Sequence, residues 1–370
     1  MAKKNDTKRT PVTQDSEGMD SFIAEIATEV NAALKTDAVM IAGEDAGGDT
    51  GISGWVLTLI PQLDFAIGGY SHPGVPLSRA IEVYGAEGSG KSTLACWLTK
   101  RTMDQMNAVA YYQDAERVLT PEIIKGTGIN MNKVILQQPE ILEEVFEAQE
   151  ATLKIIQKKN PDNPVVITLD SVAACSTQSE MDGDYGDSPM GIHARLMSQG
   201  LRKIKGYIFN SNVMSIWVNQ IREKMGISFG DKDETFGGKA LKFYSSVRIK
   251  LTRIKNLKKS GEKEPYGCTI QAVIKKNKVA PPLKIAEYDI LFVQDKDGSY
   301  PRIDIEGAVL DWCKENNLIG GGQGRYEVNG KSMFKEQARQ ELINNPKLFE
   351  EMIELAYSIA LPNSNKTKED

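Results

Sequence analysis

The chain has 370 residues, 41% of them hydrophobic and 26% charged, with a formal net charge of −5. That length and balance suit a globular protein of two or three domains with ample core, and the overall charge does not single out nucleic acid as a partner. The four cysteines (Cys96, Cys175, Cys268, Cys313) are scattered without CxxC spacing and there are only two histidines; this argues against a zinc site or disulfide framework and for buried free thiols in a reducing compartment.

The opening stretch, "MAKKNDTKRTPVTQDSEG", is polar and lacks the apolar core of a secretory signal. No apolar run is long enough to span a bilayer, so no membrane contact and a cytoplasmic location are expected. Residues 1–18 read as a disordered tail. In "MDSFIAEIATEVNAAL", Phe22, Ile23, Ile26, Val30 and Leu34 recur on one helical face, which predicts a helix over Ser21–Leu34. Such a face needs a surface to cover, in its own core or on a neighbouring subunit. "GEDAGGDTG" is a loop.

From Trp55 onward short apolar runs alternate with helical patterns, which predicts an α/β fold with a central, mostly parallel sheet covered on both faces. The strand candidates are "AIEVYG", "AVAYYQD", "VVITLD", "VMSIWVNQ", "VRIKLTRI" and "TIQAVIKK". In open α/β sheets ligands gather at the carboxyl ends of the strands, so the polar residues closing these runs mark the expected site. After "YDILFVQDKDGSYP" the texture changes to an amphipathic helix ("DIEGAVLDWCKENNLI"), a hairpin ("GGGQGRYEVNGKS") and two helices broken at Pro346. The expected domains are an N-terminal arm (19–54), a core (55–296), a small C-terminal α/β domain (297–362) and a short tail (363–370).

Gly85, Ala86, Glu87, Gly88, Ser89, Gly90, Lys91 and Ser92 match G-x-x-x-x-G-K-[ST] between a strand-like and a helix-like run, continued by Thr93. Glycines let backbone N–H groups turn toward anionic oxygens, and the helix N-terminus adds partial positive charge. Lys91 would reach the β and γ phosphates of ATP, and Ser92 would bind Mg²⁺. Asp170, closing "NPVVITLDS", is the expected acidic partner of that metal. "YYQDAERVLTPE" closes another strand and carries Asp114, a candidate nucleotide-binding residue, and Glu116, the candidate base for activating water.

These motifs, together with "MDGDYGDSPMGIHARLMSQGLRKI", "VNQIREKMGISFG", "TFGGKALKFYSSVRIKLTRI" and "IKKNKVAPP", closely resemble, in order and spacing, the bacterial RecA family of recombinases from about Gly51 to Val293. The resemblance implies a RecA-like P-loop core and an N-terminal helix–strand arm. It also implies an ATP-dependent helical filament, a homo-oligomer that pairs single-stranded DNA with homologous double-stranded DNA, with roles in recombination, repair and the SOS response. It places Glu116 at the water-activating position and Gln220 where the family senses the γ-phosphate. Lys276 and Lys278 match lysines that reach the neighbour's γ-phosphate; without the resemblance, Lys275 to Lys278 read as a solvated charge run. Thr120 and Ile123 fall on the adenine side, and Ile123 replaces a common aromatic, which loosens the expected base preference.

The resemblance also marks two DNA-binding loops, Met181–Gly191 and Ile221–Gly238. Taken bare, both are flexible, acidic surface loops. Gly237 and Gly238 offer backbone N–H groups to phosphates; Met190 and Met225 are apolar wedges and Phe229 a stacking ring. Arg195 and Arg202 match phosphate contacts; their i, i+7 spacing shares a helix face with Ser198. Lys239 stands where Asn is common and would steepen salt dependence. The late strands depart from the family pattern, with Gln271 and Val273 near positions that are usually basic. From Arg248 to Lys284 there are eleven Lys or Arg against Glu262 and Glu264. The turn carrying Arg253, Lys255, Lys258, Lys259 and Lys263 is therefore the expected second DNA site.

Three functional classes share these features: a strand-exchange ATPase, a RecA-like motor of another kind, and a non-catalytic regulator that binds ATP. The two loops and the cross-interface lysines favour the first over the second. Pro189 and Phe236 are the residues that best fit the third.

Overall fold

The computed structural model describes residues 16–35, 51–184, 191–223, 233–296 and 298–360. Contacts divide the chain into residues 1–51 and 52–370. In the first unit α1 spans Ser16–Leu34, starting before the expected Ser21. Residues 16–20 include Ser, Glu and Asp, a composition that suits a helix N-terminus. Along α1, Phe22, Ile26, Val30 and Leu34 are all exposed. Residues 1–15 of the expected tail, and the strand part of the arm, lie outside the described residues.

In the second unit β1 (Trp55–Val56) and β2 (Val75–Pro76) form a small antiparallel ribbon around α2 (Pro61–Gly68). Then follow β3 (Arg79–Gly85), α3 (Lys91–Met106), β4 (Val109–Asp114), α4 (Pro121–Thr127), β5 (Val134–Gln137), α5 (Leu142–Lys159) and β6 (Val165–Asp170). The next elements are α6 (Gln178–Asp182), α7 (Ile192–Phe209), β7 (Val213–Glu223), β8 (Asp233–Thr235) and α8 (Ala240–Tyr244). Three long strands, β9 (Val247–Leu257), β10 (Gly267–Asn277) and β11 (Ile285–Asp295), lead to β12 (Gly298–Ile303). The chain closes with α9 (Ile305–Glu315), the hairpin β13 (Arg325–Val328) and β14 (Lys331–Phe334), α10 (Lys335–Asn344) and α11 (Pro346–Tyr357).

One sheet of ten strands organises this unit, in the order β12-β11-β10-β9-β3-β7-β6-β4-β5, with β8 paired to β7. From β9 to β5 the pairing is parallel, and β10, β11 and β12 extend it antiparallel. The inner parallel strands β3, β7, β6 and β4 are buried on both faces, as near-continuous apolar runs require. Alternate residues face opposite layers. Ile81, Val83, Val166 and Ile216 pack with Leu94 and Leu98 of α3. Ala80, Ile167, Leu169 and Trp217 pack with Phe146 of α5 and Leu201 of α7.

A third cluster gathers Val309, Leu310 and Trp312 of α9 with Ala338, Leu342 and Met352, and takes Phe65 from α2. The Phe65 and Trp312 rings stack with centroids 4.8 Å apart. The Tyr357 hydroxyl donates to the buried Asp64 carboxylate, whose pKa burial pushes up to about 7 against the Tyr357 and Thr58 hydrogen bonds. The four cysteines are free and buried. No helix among the described residues is long and apolar enough to cross a membrane.

Candidate nucleotide site and nucleic-acid interface

The turn from β3 into α3 is shaped before any ligand arrives. Gly88 and Gly90 hold φ of 69° and 81°, the left-handed region that glycine enters without a side-chain clash. At Gly85 a Cβ would stand 2.3 Å from the Leu251 carbonyl oxygen, so the loop can lie against β9 only with glycine there. The Ser89 hydroxyl and the Lys91 ammonium both donate to the Ala86 carbonyl, at 2.7 and 2.9 Å. Ala86, Glu87 and Gly88 form an exposed rim, while Ser89, Lys91 and Thr93 are buried beneath it. Burial lowers the Lys91 pKa, and Glu116, Asp170 and Glu87 work against that shift.

Three neighbouring strands bring their last residues to this rim. Asp170 closes β6 and pairs in register with Asp114 of β4. The backbone N–H groups of Ala115 and Glu116 donate to the Asp170 carbonyl, at 2.8 and 3.1 Å, and so turn the chain over the end of β6. The Asp170 side chain is fully buried. Its Oδ2 accepts from the Tyr112 hydroxyl at 3.2 Å, and its Oδ1 is buried with no hydrogen-bond partner. Burial pushes its pKa up to about 7, against hydrogen bonds from Ser92 and Tyr112 and with help from Glu116 and Asp114. Glu116 is exposed and accepts from the Ser171 hydroxyl and from Gln220 Nε2 at 2.9 Å. Gln220 lies opposite Gly85 in the β3–β7 register. Lys91, Asp170, Glu116 and Gln220 thus meet at the carboxyl ends of four adjacent parallel strands.

Asp114 does other work. Its two oxygens accept from the backbone N–H groups of Val118 and Leu119, at 2.8 and 3.1 Å, and anchor the turn after β4. Thr120 caps α4, accepting from the Ile123 N–H at 3.5 Å; Thr120 is exposed and Ile123 half-buried. Lys276 is the penultimate residue of β10, paired with Arg248 of β9, and Lys278 follows the strand's end. The Lys276 ammonium donates to the carbonyls of Lys242 and Phe243, at 2.5 and 3.0 Å, on the last turn of α8. Burial, with Lys278 and Arg248 nearby, pulls its pKa down to about 8, and Glu82 opposes them. Lys278 is exposed.

On the expected DNA side, α7 carries Arg195 and Arg202 at its surface, with Ser198 half-buried between them. Gly237 and Gly238, at φ of 79° and 69°, pack on α7: a Cβ would lie 2.9 Å from Met197 Cγ and 3.0 Å from Ala194 Cβ respectively. A groove of about 550 Å³ runs between the start of α7 and this turn, lined by Glu180, His193 and Glu234 among others. Lys239 is exposed. Met190, Met225 and Phe229 lie outside the described residues. The β9–β10 hairpin projects from the sheet, exposing Arg253, Lys255, Lys258, Lys259 and Lys263 along one short stretch.

Three contributors escaped the sequence reading. Ser171 and Tyr112 hold Glu116 and Asp170; their signal was slight, a residue beside Asp170 and one two positions before Asp114 on the same strand face. Asn219 is the third. Its amide donates to Glu82 at 3.2 Å and to the Phe236 carbonyl at 3.0 Å, and its oxygen accepts from the Gln220 N–H at 2.9 Å. It ties the base of the Gly237–Gly238 turn to the strand that carries Gln220.

A family model described as RecA N-terminal domain matches residues 22–296. Protein RecA of Chlamydia pneumoniae is 39% identical over 304 residues, which cover 82% of this chain and 81% of that protein. Protein RecA of Chlamydia caviae is 38% identical over 301 residues, 81% of either chain. Protein RecA of Chlamydia trachomatis serovar A is 38% identical over 298 residues, 80% of either chain.

Proposed function

This chain belongs to the RecA family, whose members are ATP-dependent recombinases of homologous recombination and repair and DNA-dependent ATPases, and from that premise we propose how its own residues divide the work. One observation carries the reading: Gln220 donates to Glu116 at 2.9 Å while its strand runs on toward the second DNA loop. A single hydrogen bond links the expected water-activating group to the segment expected to touch DNA.

In this reading the backbone N–H groups of Gly85 to Ser92 and the Lys91 ammonium hold the ATP phosphates at the N-terminus of α3. The Asp170 Oδ1, buried without a partner, and the Ser92 hydroxyl beside it fit Mg²⁺, a hard cation that takes oxygen donors and keeps several waters. When bound, that ion would neutralise charge on the phosphate oxygens. Glu116 takes the proton from the attacking water, and Ser171 and Gln220 orient its carboxylate.

Lys276 and Lys278 serve the neighbouring subunit. In a single chain the Lys276 ammonium rests on the carbonyls of α8; in a filament it would exchange them for a neighbour's γ-phosphate and add a cation in trans. Hydrolysis then depends on assembly. Arg195, Arg202, Gly237, Gly238 and Lys239 hold single-stranded DNA by its backbone, leaving the bases to pair with a homologous duplex. The β9–β10 hairpin holds that duplex. The protein works in the cytoplasm as a helical filament.

The decisive experiment is joint-molecule formation between a labelled single strand and a homologous supercoiled duplex, with ATP and Mg²⁺. Product should require homology and vanish in Lys91→Ala. Intact single-strand binding and ATP hydrolysis without joint molecules would overturn the division of labour.

A further inference from the structure

Four adjacent strands carry a row of polar side chains across the sheet: Asn219 on β7, Glu82 on β3, Arg248 on β9 and Lys276 on β10. Register sets them side by side. Glu82 pairs with Arg248, and Arg248 with Lys276. Asn219 lies two residues beyond Trp217, the partner of Glu82, and its amide reaches back to the Glu82 carboxylate at 3.2 Å. Arg248 Nε donates to the other Glu82 oxygen. Ala80, two residues before Glu82, packs with Ala240 and Leu241, so the row lies on the sheet face that α8 covers.

The row grips one segment at two places. At one end the Asn219 amide also donates to the Phe236 carbonyl at 3.0 Å, just before the Gly237–Gly238 turn. At the other, the Lys276 ammonium donates to the carbonyls of Lys242 and Phe243. The turn and most of α8 lie between the two grips.

Charge makes the second grip the weaker. One buried carboxylate faces two cations. Arg248 bonds it directly and lies over the Tyr84 ring, 4.5 Å from the centroid, while its Nη2 is buried with no hydrogen-bond partner. Lys276 forms no ion pair among the described residues and rests on neutral carbonyls. Lys278 and Arg248 repel its charge and Glu82 attracts it, in surroundings that screen less than water. A phosphate would offer Lys276 an anion in place of two dipoles. That is a difference in affinity of the kind that moves a two-state contact.

We propose that this row is a clamp on residues 236–243, that a neighbour's nucleotide opens it by drawing Lys276 off α8, and that Glu82 and Arg248 are positioning residues that set how readily Lys276 leaves. The clamp rests on Lys276 meeting a neighbour's phosphate and on the Gly237–Gly238 turn meeting DNA. Given both, a neighbour's ATP state reaches the DNA turn through α8, separately from the bond between Gln220 and Glu116.

Two measurements on the full chain test this. The first is hydrogen exchange in dilute single chains without nucleotide, where a cation acting in trans has no role. Lys276→Met should speed exchange of the Phe243 and Ser245 amides, which bond within α8 and its cap, by about fivefold or more. The second is the pH at which assembly on single-stranded DNA with a non-hydrolysable ATP analogue is half lost. Glu82→Gln should move that midpoint down and Arg248→Met should move it up, each by about half a unit or more; a merely structural role would shift both the same way or neither. Glu82→Asp, which keeps the pair and draws the carboxylate back, should give a smaller downward shift and serves if either variant misfolds by circular dichroism. Unaltered exchange in Lys276→Met, or midpoints that do not move in opposite directions, would overturn the clamp alone. Faster exchange with assembly indifferent to Lys276→Met would overturn the role of Lys276 in trans, and the clamp's opening with it.

Discussion

The two halves of the central sheet solve opposite problems. In the parallel half, β3, β7, β6 and β4 end together, and the side chains they deliver are held by neighbours: Asp170 by Tyr112, Glu116 by Ser171 and Gln220, Lys91 by Ala86. In the antiparallel half, β9 and β10 run past the helices and expose a row of cations. Bond breaking needs groups pre-positioned in a concave, partly dry place. Tracking a polyanion needs charge in solvent, where each contact is individually weak and geometrically tolerant. Parallel strands with helical crossovers suit the first; in the division of labour proposed above, an overlong hairpin serves the second.

That contrast predicts a graded series of effects. The largest should come from Glu116→Gln, which removes the base from an exposed position: turnover should fall by about 10²–10⁴, with nucleotide binding and melting temperature preserved. A parallel loss of nucleotide binding would mean that Glu116 positions the loop and is not the base. Next comes Gly85→Ala, whose methyl must push against the Leu251 carbonyl. Overpacking of this kind costs about 1–3 kcal/mol, and denaturant melts should report it together with weakened ATP binding. Lys258→Glu with Lys259→Glu should leave the melt unaltered. It should weaken strand invasion, spare single-strand binding, and reduce the salt slope on duplex DNA by about 0.9 for each phosphate that is no longer neutralised. Equal weakening of single- and double-strand binding would erase the distinction drawn between the halves.

The smallest effect concerns pH. A Lys276 pKa of about 8 leaves the ammonium charged below that pH and neutral above it. In the single chain Lys276 is then neutral and must take up a proton to meet a neighbour's phosphate, so ATP-dependent assembly should weaken as pH rises through about 8, giving it a basic limb there. Lys276→Arg, which stays charged, should move the limb upward. The stability linkage has the opposite sign. Above pH 8 the unfolded chain holds the proton that the folded chain has released, so this group's contribution to stability rises with pH through that window.

The parallel half was largely legible in the sequence. Apolar runs ending in Gly85, Asp114, Asp170 and Gln220 are a pattern that only a sheet buried on both faces and open at one end produces. The strand β5 was not read, because Ile135 and Leu136 are exposed at the sheet's edge and a four-residue run there has no contrast with its surroundings. Asp114 was legible as a nucleotide-binding candidate by type and position; its bonds to Val118 and Leu119 were not, because they depend on the chain folding back there. Lys276 looked like part of a solvated run, and its placement on α8 arises from packing across 33 residues of sequence. The early start of α1 was hidden because Ser16, Glu17 and Gly18 carry no apolar side chain; Met19, three residues before Phe22, already fits the spacing.

The exposed face of α1, carrying Phe22, Ile26, Val30 and Leu34, has a consequence for growth. If that face is a plug for a socket on the next copy, the contact is head-to-tail, and where the rotation between copies does not close a ring it grows as an open helix. Polymer length is then open-ended and governed by nucleation and a critical concentration. A copy clipped within α1 keeps its socket and lacks its plug. It would act as a chain terminator at one end, so proteolysis of a small fraction would shorten the whole population.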